Sequence, residues 1–169
     1  MKIIEALKQV KDLQRKASDL IIKIKNHCAD MDYENPVYPD QKGQINQWVQ
    51  AHRDIVHEIS RLRFCIQKTN VTVNVKITIG DHIIDKTIAE WIHRRKDLSQ
   101  LESMAWTALT DRGLKDSRIQ FTNEVKDCKK RLYFDPALKD RMLSVLQSEP
   151  SLIDGKLEIV NAITDLIEN

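Results

Sequence analysis

The chain has 169 residues, of which 41% are hydrophobic and 31% are charged, and its formal net charge is +2. This composition is typical of one globular domain, it excludes a disordered chain, and its small net charge favours neither a nucleic-acid nor a membrane partner. The charged amino terminus has no signal-peptide core and no apolar run approaches the ~20 residues that span a bilayer, so we expect a cytoplasmic protein.

Two long helices are predicted first, because apolar residues recur there at steps of three and four. The first, at about 2–30, has the stripe Ile3, Leu7, Val10, Leu13, Ala17, Leu20, Ile24 and Cys28. The second, at about 44–70, has the stripe Ile45, Trp48, His52, Ile55, Ile59, Leu62 and Ile66. A short proline-containing loop joins them, so we expect antiparallel packing. Helices of this length are too extended for one small domain to cover, and we therefore predict a homo-oligomer.

The hydrophobic period then changes to two. Alternating apolar residues from Val71 to Ile79, with a turn at Gly80 and Asp81, predict a β-hairpin at about 71–84. A third helix, at about 87–110, begins with a capping box from Thr87 to Glu90. Its predicted apolar face, which Arg95 interrupts, is Ile88, Trp91, Leu98, Ala105 and Leu109.

The carboxy-terminal part of the sequence has a less regular hydrophobic pattern. Residues 114–134 are compatible either with short strands or with an irregular excursion. Asp135 and Pro136 predict a helix at 136–148, and a second capping signal at Ser151 predicts a last helix at 151–168. The predicted fold class is therefore mainly α, a long antiparallel helical hairpin or bundle with a small β-hairpin, in a single domain of residues 1–169.

No motif for catalysis or metal binding is recognisable. The three cysteines, Cys28, Cys65 and Cys128, lack metal-ligand spacing, and we expect free, buried or half-buried thiols. There is no glycine-rich phosphate loop, no HExxH and no nucleophile elbow. We therefore expect a non-enzymatic protein without a metal ion or cofactor, although distant residues can still assemble a site in the fold.

Several separated segments together resemble the septicolysin-like family of small helical proteins from bacteria and their phages. These are Met1–Leu7, Ile66–Asn70, Arg94–Asp97, Tyr133–Pro136 and Val160–Glu168. The family's Ile-Asn-x-Thr-Asn motif has Gln67 here in place of the first asparagine. The resemblance implies no enzymatic activity, and its phage setting implies a sponge that sequesters a nucleotide-derived immune signal in a bacterial host cell.

The strongest candidate ligand-binding residues are Trp91, Arg94 and Arg95. A guanidinium on an apolar stripe must be paired or must face a cavity. Arg94 and Arg95 are thus either an anion clamp, with Trp91 stacking on a base, or partners of Asp97, Glu102 or a residue of another helix.

Two further sets of polar residues are candidates. Thr69 and Asn70 end the second helix, where they either cap it or bind a ligand's sugar or base edge. Asn161 and Asp165 lie one turn apart in the last predicted helix, on either a solvated or a ligand-binding face. Two functions remain open: binding of an anionic, nucleotide-like small molecule, or a structural and protein-interaction role in which the arginines only hold helices together.

Overall fold

The computed structural model describes residues 1–121 and 124–168, excluding the side chains of 119–121 and 124–126. Its described part is mainly helical, as predicted. Contacts divide the chain into two compact units. The first unit contains Met1–Asn74 and the chain from Leu157 onward, and the second contains Val75–Lys156.

The first unit is built on a helical hairpin of α1 (Ile3–His27) and α2 (Gln41–Thr72). At one end the Gln41 side chain donates to the carbonyl of His27 at 2.8 Å. At the other end Leu62 packs in a buried cluster with Ala6 and Val10. The beginning of α2 therefore lies beside the end of α1, which confirms the predicted antiparallel packing.

The two predicted stripes differ in accuracy. Every residue of the α2 stripe is buried or half-buried, and burial continues through Thr69. In α1, Ala6 is buried while Leu7 is exposed, and Cys28 is exposed beyond the helix. A helix has 3.6 residues per turn, so a three-four pattern leaves some positions ambiguous by one residue.

The end of the chain is extended, not helical. Residues 164–168 follow the end of the last helix, and Leu166 donates its amide to the Met1 carbonyl at 2.7 Å. Ile3 in turn donates to the Thr164 carbonyl at 3.1 Å. The prediction of a helix through residue 168 is therefore wrong after Ile163, because these residues bond to the amino terminus as a short β-bridge.

The second unit contains two hairpins. β1 (Asn74–Ile79) and β2 (His82–Thr87) form the predicted one, displaced toward the carboxy terminus because α2 extends to Thr72. Val75, Ile77 and Ile79 are buried in alternation. β3 (Ser117–Phe121) and β4 (Glu124–Cys128) pair antiparallel, with Ser117 opposite Cys128. Short strands are thus the correct alternative for part of 114–134.

The third predicted helix contains a π-helical turn. It comprises α3 (Ile88–His93), the π turn Arg94–Leu98 and α4 (Ser99–Thr107). The predicted capping box is present: Glu90 donates its amide to Thr87 Oγ1, and its carboxylate accepts the Thr87 amide at 2.8 Å. The Thr87 amide and hydroxyl both donate to the Glu90 carboxylate, and these two hydrogen bonds hold the pKa of Glu90 below its ordinary value.

The π turn shifts the buried face of the helix by one residue. Ser99 is buried, whereas Leu98, predicted for the core, is exposed. Ala105 is likewise exposed and the neighbouring Trp106 is half-buried. A π turn inserts one extra residue per turn, which explains why a stripe extrapolated from Ile88 and Trp91 fails after Arg95.

The last helix, α5 (Pro136–Ile163), is continuous where two helices are predicted. It begins as expected, since Asp135 accepts a hydrogen bond from the Ala137 amide at 2.9 Å. Pro150 lies inside the helix, where its ring removes one backbone donor. Leu146 and Ile153 are buried on either side of Pro150, and this packing offsets the cost of the interruption.

Within the described residues, none of the helices combines the length and apolarity that a membrane crossing requires.

Candidate ligand-binding cavity

The second unit contains a cavity of about 490 Å³. The β1–β2 hairpin contributes Ile79 and Ile84 to its wall, and α5 contributes Leu138, Met142 and Val145. Arg94 and Glu149 also line the cavity. Two secondary-structure layers, one stranded and one helical, therefore enclose a mainly apolar space with charged groups at defined positions.

Arg94 is the central charged residue of this cavity. Its Nε donates to Glu149 Oε1 at 2.6 Å and its Nη2 donates to Glu149 Oε2 at 2.9 Å. Its Nη1 lies 2.5 Å from Glu102 Oε2. The hydrogen bonds that Arg94 donates to the Glu149 carboxylate raise the pKa of Arg94 above its ordinary value. The guanidinium is thus engaged by two carboxylates, and this arrangement realises the predicted alternative of an internal ion pair.

The π turn makes the Arg94–Glu102 contact possible. In an uninterrupted α-helix, a residue eight positions further along lies ~80° around the helix axis. The extra residue in the π turn removes most of that rotation. Glu102 consequently returns to the face of the helix that carries Arg94.

Trp91 also lines the cavity, but its ring is covered. The side chain is 1% exposed, and its Nε1 donates to the Val75 carbonyl at 2.8 Å. The ammonium group of Lys86 lies 5.9 Å from the ring centroid. A ring with so little exposed surface has no open face for a base, so in this conformation Trp91 fixes the hairpin to α3.

Arg95 lies outside the cavity that Arg94 lines. It pairs with Asp154 of α5, the two side chains are 40% and 57% exposed, and Arg95 is not part of the cavity wall. Adjacent helical residues point in directions ~100° apart. The structure therefore places Arg94 in the cavity and Arg95 on the surface.

The remaining charges of the cavity differ in their pairing. Lys86, Arg141 and Asp81 line it and form no ion pair with any described residue. The lining thus carries three cations and three carboxylates, since Arg94, Glu102 and Glu149 complete the set. Lys86 and Arg141 are the cations whose donors are not committed to a carboxylate within the described part of the chain.

The other four predicted site residues belong to the first unit. Thr69 is buried, donates to the Cys65 carbonyl at 2.8 Å and accepts the Ile167 amide at 2.9 Å. Asn70 is buried beside it, and Asn161 is half-buried. Asp165 pairs with Lys2 at 2.8 Å, which lowers the pKa of Asp165. Thr69 and Asp165 therefore anchor the last residues of the chain.

Glu149, Lys86 and Arg141 are not among the residues predicted from the sequence. Glu149 has a recognisable signal, because it interrupts an apolar stripe of α5 between Leu146 and Ile153 as Arg95 interrupts that of the third helix. Charges embedded in apolar stripes require partners. Lys86 and Arg141 lack such a signal, since exposed cations are common in any charged chain.

Among the described residues, no group of His, Cys, Asp and Glu side chains is arranged to hold a metal ion. The described cysteines are free, with Cys65 buried, Cys128 half-buried and Cys28 exposed.

Comparisons with known proteins give the fold without a function. No family model and no curated protein matches the chain. The structure is similar to that of a conserved protein of unknown function from Corynebacterium diphtheriae, with a TM-score of 0.56 and 18% sequence identity over 98% of each chain. This likeness supports a shared fold, and the resemblance to the septicolysin-like family stays a prediction.

Proposed function

We propose that this chain is a non-enzymatic binding protein that holds a small, largely apolar ligand with one acidic group in the cavity of its second unit. The observation that carries the proposal is the cavity itself. Its volume of about 490 Å³ falls in the range of ~300–1,000 Å³ that is typical of ligand pockets. Such pockets are mainly apolar and contain a few polar groups that fix the ligand's orientation.

Arg141 and Lys86 are the proposed contacts of the acidic group. Both line the cavity, and neither is engaged by a carboxylate of the described residues. An arginine binds a carboxylate or phosphate through two parallel hydrogen bonds, and a lysine adds a point charge. The apolar part of the ligand then packs on Ile84, Met142 and Val145 of the wall.

Binding is favoured over catalysis by the chemistry of the lining. The described residues that line the cavity include no serine, threonine, cysteine or tyrosine, and therefore no hydroxyl or thiol nucleophile. The buried Arg94–Glu149 pair is a fixed element of the wall. Its donors and acceptors already satisfy each other, so it contributes shape to the site and leaves the polar contacts to Arg141 and Lys86.

A nucleotide-derived immune signal, which the family resemblance implies, is one member of the acidic ligand class. In this proposal its phosphate contacts Lys86 and Arg141, and its base packs on the apolar wall because the Trp91 ring is covered. Sequestration of such a signal requires tight binding without turnover. A sponge function is consistent with a lining whose described residues offer no hydroxyl or thiol nucleophile.

A thermal-shift screen of the full chain tests the proposal. The panel contains cyclic dinucleotides, ADP-ribose and medium-chain fatty acids. Each ligand is tested with the wild type and with the variants Arg141→Ala and Val145→Phe. A ligand at a hundred times its dissociation constant should stabilise the wild type by about 2.7 kcal/mol, and both variants should lose that gain. Arg53→Ala, which removes an exposed arginine of the first unit, is the matched control. A panel that leaves the wild-type transition unmoved argues against a small-molecule site.

A structural role as a homo-oligomer is the second candidate. The exposed face of α2 carries Val49, Val56, Phe64 and Val71, which are spaced at seven or eight residues. Apolar residues at this spacing are typical of a helical seam that a second copy covers. Light scattering at micromolar concentration measures the subunit number, and Phe64→Glu should reduce it. A wild-type protein that is monomeric throughout would remove this candidate.

A further inference from the structure

We propose a second binding site, for a nucleoside phosphate, in a cleft of about 300 Å³ beside the end of α4. We name it the basic cleft, and its defining residues are Leu109, Arg112, Leu114, Arg131 and Tyr133. It shares no residue with the cavity described above. The inference is therefore independent of the proposed function.

The basic cleft carries an excess of uncommitted positive charge. Lys130, which also lines it, is fixed by an ion pair with Asp111 at 2.9 Å, and the Lys130 amide donates to Asp116 at 2.7 Å. Arg112 and Arg131 form no ion pair with any described residue. Two guanidinium groups thus line a cleft in which the Asp111 carboxylate is already paired, and two such groups can bind a phosphate through bidentate hydrogen bonds.

The backbone at Arg112 adopts a left-handed conformation, which is unfavourable for an arginine. Its φ is 57°, and Gly113 follows with a φ of 72°. The Leu114 amide donates to the Asp111 carbonyl at 3.0 Å and closes the turn. Turns with two successive positive φ values favour glycine and asparagine, and Arg112 is the one non-glycine residue with positive φ in the described part of the chain. Such strain is concentrated at functional sites.

Tyr133 supplies a surface for a base. Its side chain is 89% exposed, although an aromatic ring usually gains from burial. It lies two residues from Arg131 and lines the same cleft. Bases stack on exposed aromatic rings while their phosphates contact cationic groups. The basic cleft therefore fits a nucleoside phosphate, the unit that a free nucleotide and the end of a single strand have in common.

Isothermal titration calorimetry of the full chain tests the site with ADP, pyrophosphate and a short oligothymidylate. We expect ADP to bind, and pyrophosphate to bind about tenfold more weakly because it lacks a base. Arg112→Gly and Arg131→Ala should each weaken ADP binding by about tenfold or more. Lys129→Ala makes the same change in net charge next to the cleft without belonging to its lining, and should leave the affinity unchanged.

Arg112→Gly gives a readout that misfolding cannot imitate. Glycine adopts a positive φ without strain, so this variant should melt at a higher temperature than the wild type while binding ADP more weakly. Competition between ADP and the oligothymidylate would show that the nucleoside phosphate unit is recognised from either source. The proposal is overturned by absence of ADP binding, by pyrophosphate binding as tightly as ADP, or by an equal loss in Lys129→Ala. Loss of ADP binding in Arg141→Ala instead would assign the nucleotide to the cavity, and would also overturn it.

Discussion

Arg94 donates to both carboxylate oxygens of Glu149, and the side chain of Glu149 is 3% exposed. The two residues are 55 positions apart in the chain, so the pair ties the third helix to α5 within the second unit. A carboxylate buried to this degree loses its hydration, and only a bidentate partner with good geometry offsets that cost. Removing one partner of the pair should therefore destabilise the fold far more than replacing both partners together.

The first prediction concerns the loss of one partner of the Arg94–Glu149 pair. Arg94→Ala leaves Glu149 buried without its partner, and we expect a loss of about 3–5 kcal/mol in the free energy of unfolding. Arg95→Ala removes a pair that is largely exposed, and should cost at most about 1 kcal/mol. Urea denaturation of both variants measures the difference.

A double variant separates pairing from packing. Arg94→Met combined with Glu149→Leu replaces the pair by apolar side chains and should recover most of the stability lost in Arg94→Ala. Equal losses in Arg94→Ala and Arg95→Ala would contradict the assignment of Arg94 as the buried member of the two.

The long elements of this fold are predictable from local signals. The α2 stripe extends over seven positions, which is long enough for the three-four period to identify the buried face without help from tertiary contacts. The capping box of Thr87 and Glu90 is equally local, because its hydrogen bonds join residues three positions apart. In both cases the chemistry is complete within the segment that encodes it.

The candidate site depends on features that local signals do not contain. The π turn moves burial from Leu98 to Ser99. Of the two predicted arginines, only Arg94 lines the cavity. The capping signal at Ser151 predicted a separate last helix, yet packing on both sides of Pro150 keeps α5 continuous. Lys86 and Arg141 are brought to one cavity by tertiary structure alone. Identifying them requires knowing which strand faces which helix.

A second prediction follows from the pairing of Asp165 with Lys2. The hydrogen bond from Lys2 lowers the pKa of Asp165 in the folded protein. Stability from this pair is therefore fully present above the unfolded carboxyl pKa of about 3.9, and it is lost as pH falls through the lowered native value. The stability difference between wild type and Asp165→Asn should be greatest near neutral pH and should decrease in acid.

Urea denaturation at a series of pH values measures this difference. Asp19→Asn is the control, because Asp19 is exposed and forms no ion pair with the described residues. A pH-independent difference for Asp165→Asn would show that the carboxylate charge is not what fixes the carboxy-terminal segment.

The third prediction concerns Ser99, the residue that the π turn places in the core. Its hydroxyl is buried and has no hydrogen-bond partner among the described residues. An unsatisfied buried hydroxyl is unfavourable, so Ser99→Ala should raise the free energy of unfolding by about 1–2 kcal/mol. Ser103→Ala is the matched control, since the Ser103 hydroxyl donates to the Gln100 carbonyl at 2.7 Å. If Ser99→Ala is destabilising and Ser103→Ala is not, Ser99 has a polar partner in solution.

The fourth prediction concerns the π turn as a one-residue insertion. Lys96 is exposed within Arg94–Leu98, and its deletion should convert the turn to ordinary α-helix while Trp91 and Ser99 keep their positions. The variant should therefore unfold cooperatively and retain the near-ultraviolet circular dichroism of the wild type. Deletion of Arg63, an exposed residue of the regular helix α2, is the control. That deletion rotates everything after it by ~100° and should remove Cys65 and Thr69 from the core. If the Lys96 deletion is as disruptive as the Arg63 deletion, the π turn is not an insertion, and the phase shift between Leu98 and Ser99 needs another cause.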